Sequence, residues 1–317
     1  MARHDGAGAS ARGNVVCTAP AIGVSGSHHG EIIQGAVRRD GELLPCLITM
    51  PVAGAGSTAR YVSAETSDGL CASGGLEVLP AWKRKAERAA RLALGFIGAS
   101  PVGRLEIECN VATGVGLGSS TCDVVAAIRA VCSFHGVALS AGEVARLAIE
   151  AEGAADPLMF DGEMVLFAQR HGRVLESLGD WVPRYTLLSL DTDEGGHGVD
   201  TLSLPLPDYK DAELASFEGL VHRARVAFRD RDASAIAAIA TESATLNQRF
   251  LPMRQFGRIC ELANRCGALG VQISHSGTVA GVLFDESRHV QPDFMARLSD
   301  QFRSLGLRPL GFLTTGN

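Results

Sequence analysis

Nine consecutive residues, Thr113-Gly114-Val115-Gly116-Leu117-Gly118-Ser119-Ser120-Thr121, combine the side-chain types that can hold a phosphate. Three glycines alternate with Val115 and Leu117 and give way to two serines. Glycine lets main-chain N–H groups approach a ligand closely and tolerates positive φ. The serines can cap a helix, or offer hydroxyls to a phosphate or to Mg²⁺. Residues 105–109 alternate like a strand, and Val124, Val125, Ala127, Ile128 and Val131 recur with helical spacing. Strand, glycine loop, helix is the order that aims amides and a positive helix end at an anion. An ordinary glycine-rich turn with a serine cap would look the same.

Three other clusters could do chemistry. Glu150, Glu152 and Asp156 lie close together on a small-residue backbone. His28 and His29 sit in a Gly/Ser loop just before Glu31. Ser274-His275-Ser276-Gly277-Thr278 reads as a tight turn between two apolar runs. The histidine pair has no third ligand at zinc-like spacing, so no zinc is expected there.

Several nucleotide-binding classes are excluded. The chain has three lysines, Lys83, Lys85 and Lys210, and none follows a glycine loop, so there is no Walker A motif. A dinucleotide fingerprint started at Gly114 would place Ser119 where its last glycine belongs. The strand lysine and the His-Arg-Asp and Asp-Phe-Gly signatures of protein kinases are absent. What remains is a phosphate cradle of main-chain amides and serine hydroxyls. Its charge compensation would come from metal, a helix dipole and an arginine.

These residues need elements to position them. Strands are expected at 31–34, 43–50 and 60–66, with a loop at 23–30 and a turn at 51–57. A short apolar run at 15–17 precedes them. The first helix is expected over 80–96, with Pro80 in its first turn and an apolar stripe at Trp82, Ala86, Ala89, Ala90 and Ala93. After the glycine loop come a helix over 120–135 and another from Ser140 to about residue 151, opened by the Ser140/Glu143 capping box. Strands at 164–168 and 173–175 pair across His171-Gly172, and 185–190 is a further strand. Beyond it, helices at 214–228, 233–245, 255–266 and 292–305 alternate with strands at 271–274, 279–284 and 310–314. The early strands imply a mixed or antiparallel sheet and an α+β class. Residues 1–13 read as a disordered tail, 14–184 as one domain and 185–317 as a second.

Composition agrees with a globular protein: 317 residues, 46% hydrophobic and 20% charged, with a net charge of −6. No basic stripe suggests nucleic acid, and Lys83-Arg84-Lys85 reads as a solvated helix face. No apolar run is long enough to cross a bilayer, and the N-terminus does not read as a signal peptide. The eight cysteines show no C-x-x-C spacing, which points to reduced thiols in the cytoplasm.

Taken together, the motifs resemble those of the GHMP kinases. Gly116-Leu117-Gly118-Ser119-Ser120 resembles their phosphate loop. Gly30-Glu31-Ile32-Ile33-Gln34-Gly35, Ser119-Ser120-Thr121-Cys122-Asp123 and Ser274-His275-Ser276-Gly277 are similar to segments of the L-threonine kinase branch. The resemblance implies a two-domain α+β fold. Its first domain would be a mixed α/β unit with a left-handed βαβ-type phosphate loop, and its second a ferredoxin-like unit. It also implies ATP and Mg²⁺ as cofactors, and phosphoryl transfer to a small hydroxylated amino acid. In the threonine branch the product, O-phospho-L-threonine, feeds cobalamin side-chain synthesis. The same chemistry on L-serine, L-homoserine or another hydroxylated metabolite is the alternative, and a non-catalytic ligand sensor is a second. A homodimer is compatible with this fold.

The resemblance also assigns roles. Gly114, Gly116, Leu117, Gly118, Ser119, Ser120 and Thr121, with Ser276 and Gly277, would hold ATP. Ser120 and Glu150 would be the Mg²⁺ ligands, with Glu152 the near rival of Glu150. Asp156 would take the proton from the substrate hydroxyl, since an alcohol is a poor nucleophile until a base accepts it. Glu31 would bind an ammonium, with His29, Gln34 and His275 on the substrate side. The chain departs from the family in lacking its lysine near the third motif, where Gln272 and Ser274 stand.

Overall fold

The computed structural model describes residues 19–63, 75–111, 117–193, 202–203, 205–286 and 292–316. The expected tail and the apolar run at 15–17 lie outside them. In chain order the elements are β1 (Ala21–Arg39), β2 (Glu42–Val62), β3 (Leu76–Leu79), α1 (Arg84–Phe96), β4 (Gly103–Cys109), α2 (Ser119–Phe134) and α3 (Ala141–Glu152). Then come β5 (Met164–Ala168), β6 (Arg173–Gly179), β7 (Tyr185–Asp191), α4 (Asp211–Asp230), α5 (Ala233–Asn247) and α6 (Phe256–Arg265). The last four are β8 (Gly270–Ile273), β9 (Val279–Asp285), α7 (Pro292–Ser304) and β10 (Arg308–Thr314).

The strands form one sheet in the order β10-β7-β9-β8-β1-β2-β4-β3, with β5 on β2 and β6 on β5. It is antiparallel except where β3 runs parallel to β4. The long β1–β2 hairpin turns at Asp40-Gly41, both with positive φ (52° and 82°). Positive φ at both turn residues matches the right-handed twist of a hairpin.

Two expectations are corrected here. The region 23–30 is not a loop but the bulged interior of β1, and the turn at 51–57 is a register break inside β2. Gly26 pairs with Gly56 but Ser27 pairs with Val52, so residues 53–55 are squeezed out of the ladder without ending the strand. A second shift falls between His28 and Glu31, at Gly30 with φ 62°. No side chain fits at Gly30, because a Cβ there would stand 1.8 Å from the Gln272 amide oxygen. This bulge matters for the site below.

Alanine faces let the first three helices pack closely. Ala86, Ala89, Ala90 and Ala93 of α1 share a core with Val124, Val125 and Ile128 of α2, Ala145 and Ala148 of α3, and Tyr61 and Leu105 of the sheet. A second core joins α4 and α5 to β1 and β2, and a third joins α6 and α7 to β7–β10. The α3 capping box forms as expected: Glu143 N–H donates to Ser140 Oγ at 3.3 Å, and Ser140 N–H donates to Glu143 Oε2 at 2.8 Å. The first helix begins at Arg84 rather than Pro80, which leaves Trp82 outside it and 62% exposed.

The lysine cluster is not one solvated face. Lys83 is buried, and its Nζ donates to both carboxylate oxygens of Asp123 at 2.7 Å. Ser57 Oγ donates to the same carboxylate at 2.6 Å, so β2, α1 and α2 are tied at one point. Removing one member of a buried ion pair strands the other charge. Lys83→Met is therefore expected to cost about 3–5 kcal/mol in urea unfolding. A loss within the range of surface substitutions would show that Asp123 is carried by Ser57 alone.

Candidate active site

The described part of the glycine loop begins at Leu117; Gly114 and Gly116 lie outside the described residues. Ser27 Oγ donates to the Leu117 carbonyl at 2.7 Å, which pins the end of the loop to β1. Gly118 is the N-cap of α2 with φ 69°, a left-handed conformation that favours glycine. It also lets the loop touch β1, since a Cβ at Gly118 would stand 2.3 Å from the imidazole carbon Cδ2 of His28.

Ser119 and Ser120 do not cap α2: its N-cap is Gly118, and no side-chain cap hydrogen bond is made among the described residues. They fall in the first turn itself. Ser120 Oγ donates to Glu152 Oε2 at 2.7 Å, and Thr121 Oγ1 donates to Glu152 Oε1 at 2.8 Å. The first turn carries no acidic residue, so its free amides and the helix dipole remain disposed towards an anion.

Glu152 rather than Glu150 meets the loop serine. Both lie on the last turn of α3, but at 100° per residue they point about 200° apart. Glu150 is exposed, whereas Glu152 is buried. Burial pushes the Glu152 carboxyl up to about 7, against the pull of the Ser120 and Thr121 hydroxyls and of Lys85. Lys85 Nζ lies 3.8 Å from Glu152 Oε2. Gly153, left-handed at φ 85°, then ends α3 and sends the chain to Asp156.

Asp156 is the centre of a second group. Its amide donates to Thr121 Oγ1 at 3.4 Å. His28 Nε2 lies 3.0 Å from Asp156 Oδ2, and His28 Nδ1 lies 3.8 Å from Glu31 Oε1. In a regular strand residues three apart face opposite sides, so His28 and Glu31 would not meet. The bulge at Gly30 adds one residue and turns both side chains inward. Burial alone would lower His28, but Asp156 and then Glu31 outweigh it and raise the imidazole to about 9. Burial would likewise raise Asp156, yet the charge of His28 holds its carboxyl below the usual value. Glu31 is pushed up to about 8, mainly by burial. Its side chain is fully buried and neither carboxylate oxygen has a hydrogen-bond partner among the described residues.

The other sequence candidates fall around this centre. His275 lies in the β8–β9 turn, where its Nδ1 is 3.1 Å from Gln34 Oε1. Burial holds it below its usual value even though Asp156 pulls the other way. Ser276 Oγ bridges Ser274 Oγ (3.1 Å) and Thr278 Oγ1 (2.7 Å), and Gly277 N–H closes the turn on Ser274 O. His29 turns away from the cluster. Its Nε2 meets Ser189 Oγ at 2.8 Å and its Nδ1 meets Gln272 Nε2 at 2.5 Å, in a fully buried network that joins β1 to β7 and β8. Burial there drives it down to about 3, so it is neutral.

These shifts have a consequence for stability. Glu152, Glu31 and His28 hold protons in the folded chain, up to about 7, 8 and 9, that the unfolded chain releases at 4.5, 4.5 and 6.5. The folded state binds more protons, so stability falls as pH rises. Below about pH 6.5 His29 and His275 oppose this trend, because burial keeps them neutral in the folded chain while the unfolded chain protonates them. The midpoint temperature of the ligand-free protein should therefore drop from about pH 6.5 to about pH 9, and Glu31→Gln should flatten the part of that slope below about pH 8. A slope of the opposite sign in calorimetry would refute the protonated cluster.

Two family models match the chain: GHMP kinases N terminal domain over residues 83–160, and GHMP kinases C terminal over residues 224–293. The chain belongs to the GHMP kinase family. The first match contains Ser120, Glu152 and Asp156, and the second contains the Ser274–Thr278 turn. An L-threonine kinase from Citrobacter freundii is 26% identical over 187 residues, 59% of this chain and 64% of that protein. The match therefore spans less than two-thirds of that relative's length. A mevalonate kinase from Methanothermobacter thermautotrophicus is 27% identical over 62% of this chain and 70% of its own. The crystal structure of homoserine kinase from Cytophaga hutchinsonii superposes with a TM-score of 0.70 over 95% of both chains, at 16% identity. That likeness shows the fold: the two-domain α+β architecture of a GHMP kinase.

No helix among the described residues is long and apolar enough to cross a membrane. Cys46, Cys109, Cys122, Cys132, Cys260 and Cys266 are free thiols.

Proposed function

We propose that this GHMP kinase transfers the γ-phosphoryl group of ATP to the side-chain hydroxyl of L-threonine. The observation that carries the reading is Glu31: a buried acid with no hydrogen-bond partner on either oxygen among the described residues, beside Asp156, which Thr121 links to Ser120 and Glu152. A substrate with an ammonium and a nearby hydroxyl satisfies both. The ammonium pairs with Glu31, and the hydroxyl is presented to Asp156. The matched L-threonine kinase supports the choice of amino acid.

Ser120 Oγ and the Glu152 carboxylate are an all-oxygen pair that fits Mg²⁺, and burial makes a cation beside Glu152 favourable. Bound there, Mg²⁺ would neutralise charge on the phosphate oxygens. The amides of α2 face the same phosphates. The substrate oxygen attacks the γ-phosphorus as the bond to the β–γ bridging oxygen breaks. The hydroxyl proton goes to Asp156. Phosphoryl transfer is loose and the proton leaves late, so an ionised carboxylate of low basicity suffices. His28 does not touch the substrate in this scheme. It is a positioning residue that keeps Asp156 ionised. We take residues 14–184 as the domain that faces ATP and 185–317 as the domain that closes the substrate side with His275.

The test is ADP release from ATP and Mg²⁺ with L-threonine, L-serine or L-homoserine. Turnover fastest with L-threonine is the expected result. Turnover fastest with another of the three changes the acceptor. ATP binding with no ADP from any of them overturns the kinase reading.

A further inference from the structure

We propose that His28, Glu31 and Asp156 form a binding site for a divalent transition ion of the Zn²⁺ class, separate from the oxygen pair at Ser120 and Glu152. One donor atom from each of the three lies within 4.8 Å of the other two. A four-coordinate Zn²⁺ with bonds of roughly 2.0–2.1 Å needs its donors about 3.3 Å apart, so small side-chain movements close the site. His28 Nε2 and Asp156 Oδ2 are already 3.0 Å apart.

Three features beyond proximity point to a cation. Neither oxygen of Glu31 has a hydrogen-bond partner among the described residues, in a side chain with 0% exposure. A buried carboxyl without a hydrogen-bond partner is costly, and its charged neighbour His28 Nδ1 stands at 3.8 Å, beyond hydrogen-bond distance, so a bound ion would supply the missing contact. The donors are preorganised: the His28 ring packs so close to Gly118 that a Cβ there would stand 2.3 Å from it, and the bulge at Gly30 holds His28 and Glu31 on one side. An entry path exists, because the Asp156 side chain is 21% exposed.

The donor chemistry selects the ion. One imidazole nitrogen with two carboxylates suits Zn²⁺, Co²⁺ or Mn²⁺, whereas Mg²⁺ prefers an all-oxygen shell rich in water. The Ser120–Glu152 pair is all oxygen, and Thr121 separates the two groups by bonding Glu152 at 2.8 Å and approaching Asp156 at 3.4 Å. An ion on Glu31 and Asp156 occupies the places given above to the ammonium and the hydroxyl. Such an ion would block the amino acid and not ATP. That consequence rests on the kinase reading; the site itself does not.

Metal uptake is therefore measured without nucleotide or substrate. Chelator-treated full-length protein in excess Mg²⁺ is titrated with Co²⁺, followed by its visible absorption, and with Zn²⁺ by calorimetry. One ion per chain is expected. His28→Ala and Glu31→Gln should each weaken uptake by roughly 100-fold or more, since even partners one layer behind a ligand are worth roughly 10–100-fold. Glu150→Gln should take up the ion as the parent does. No stoichiometric uptake by the parent overturns the site, and so does uptake that survives both His28→Ala and Glu31→Gln. ADP release in Mg²⁺ alone tests the kinase reading independently. If both hold, Zn²⁺ inhibition is competitive with the amino acid and not with ATP; competition with ATP instead would place the ion at Glu152 and overturn the proposal.

Discussion

Asp156→Asn is expected to lower kcat by roughly 10²- to 10⁴-fold while leaving the KM for ATP nearly unchanged. The substrate hydroxyl must lose its proton as the new P–O bond forms, and the asparagine amide cannot accept it. The nucleotide side keeps its geometry, because the Ser120–Glu152 hydrogen bond does not pass through Asp156, whose charge only adds the smallest of the upward pushes on Glu152. Near-normal kcat in single-turnover assays would mean that the proton goes elsewhere. His28→Gln separates the base from its support. Burial raises Asp156 and His28 is the main group that lowers it, so loss of His28 leaves burial opposed only by His275 and the Thr121 hydroxyl. The acid limb of the kcat profile should move to higher pH in His28→Gln, and activity should recover as pH is raised. A uniform loss at every pH would make His28 a packing residue only.

Helix spacing and turn chemistry made most of the elements readable in the sequence. The alanine stripe of α1, the Ser140 capping box and the His171-Gly172 turn all stand in the structure. What could not be read came from a few local irregularities. The stretch of β1 around its register shifts is rich in glycine and serine, which look like loop residues unless the partner strand is known. The shift between His28 and Glu31 reverses the facing of one relative to the other, so a period-two reading separates two side chains that meet. Lys83 looked solvated because its charge was visible and its partner Asp123, forty residues away, was not. Strand β3, only four residues long and parallel to β4, has too little pattern to be seen alone.

The Glu150 and Glu152 pair shows how much one helical step decides. The resemblance drew attention to Glu150, with Glu152 its near rival, yet only Glu152 contacts Ser120. On the proposal that Glu152 holds Mg²⁺, Glu152→Gln should reduce kcat by roughly 100-fold or more, since a metal ligand supplies several kcal/mol of charge stabilisation. Glu150→Gln, at an exposed position, should leave it unchanged. Stability should move the other way. Burial holds Glu152 up at about 7, so at pH 8 the folded, ligand-free chain carries an ionised carboxylate in a place that penalises it. Glutamine keeps both hydroxyl contacts through its amide and removes the charge. The midpoint temperature of Glu152→Gln at pH 8, without nucleotide or metal, should therefore equal or exceed that of the parent, and the gain should vanish near pH 5, where the parent's Glu152 is protonated. A residue that costs stability when the site is empty and activity when it is removed is held for its ligand. If Glu150→Gln were the inactive variant and Glu152→Gln the active one, the phosphate-side cation would have to be bound from the outer face of α3, away from Ser120.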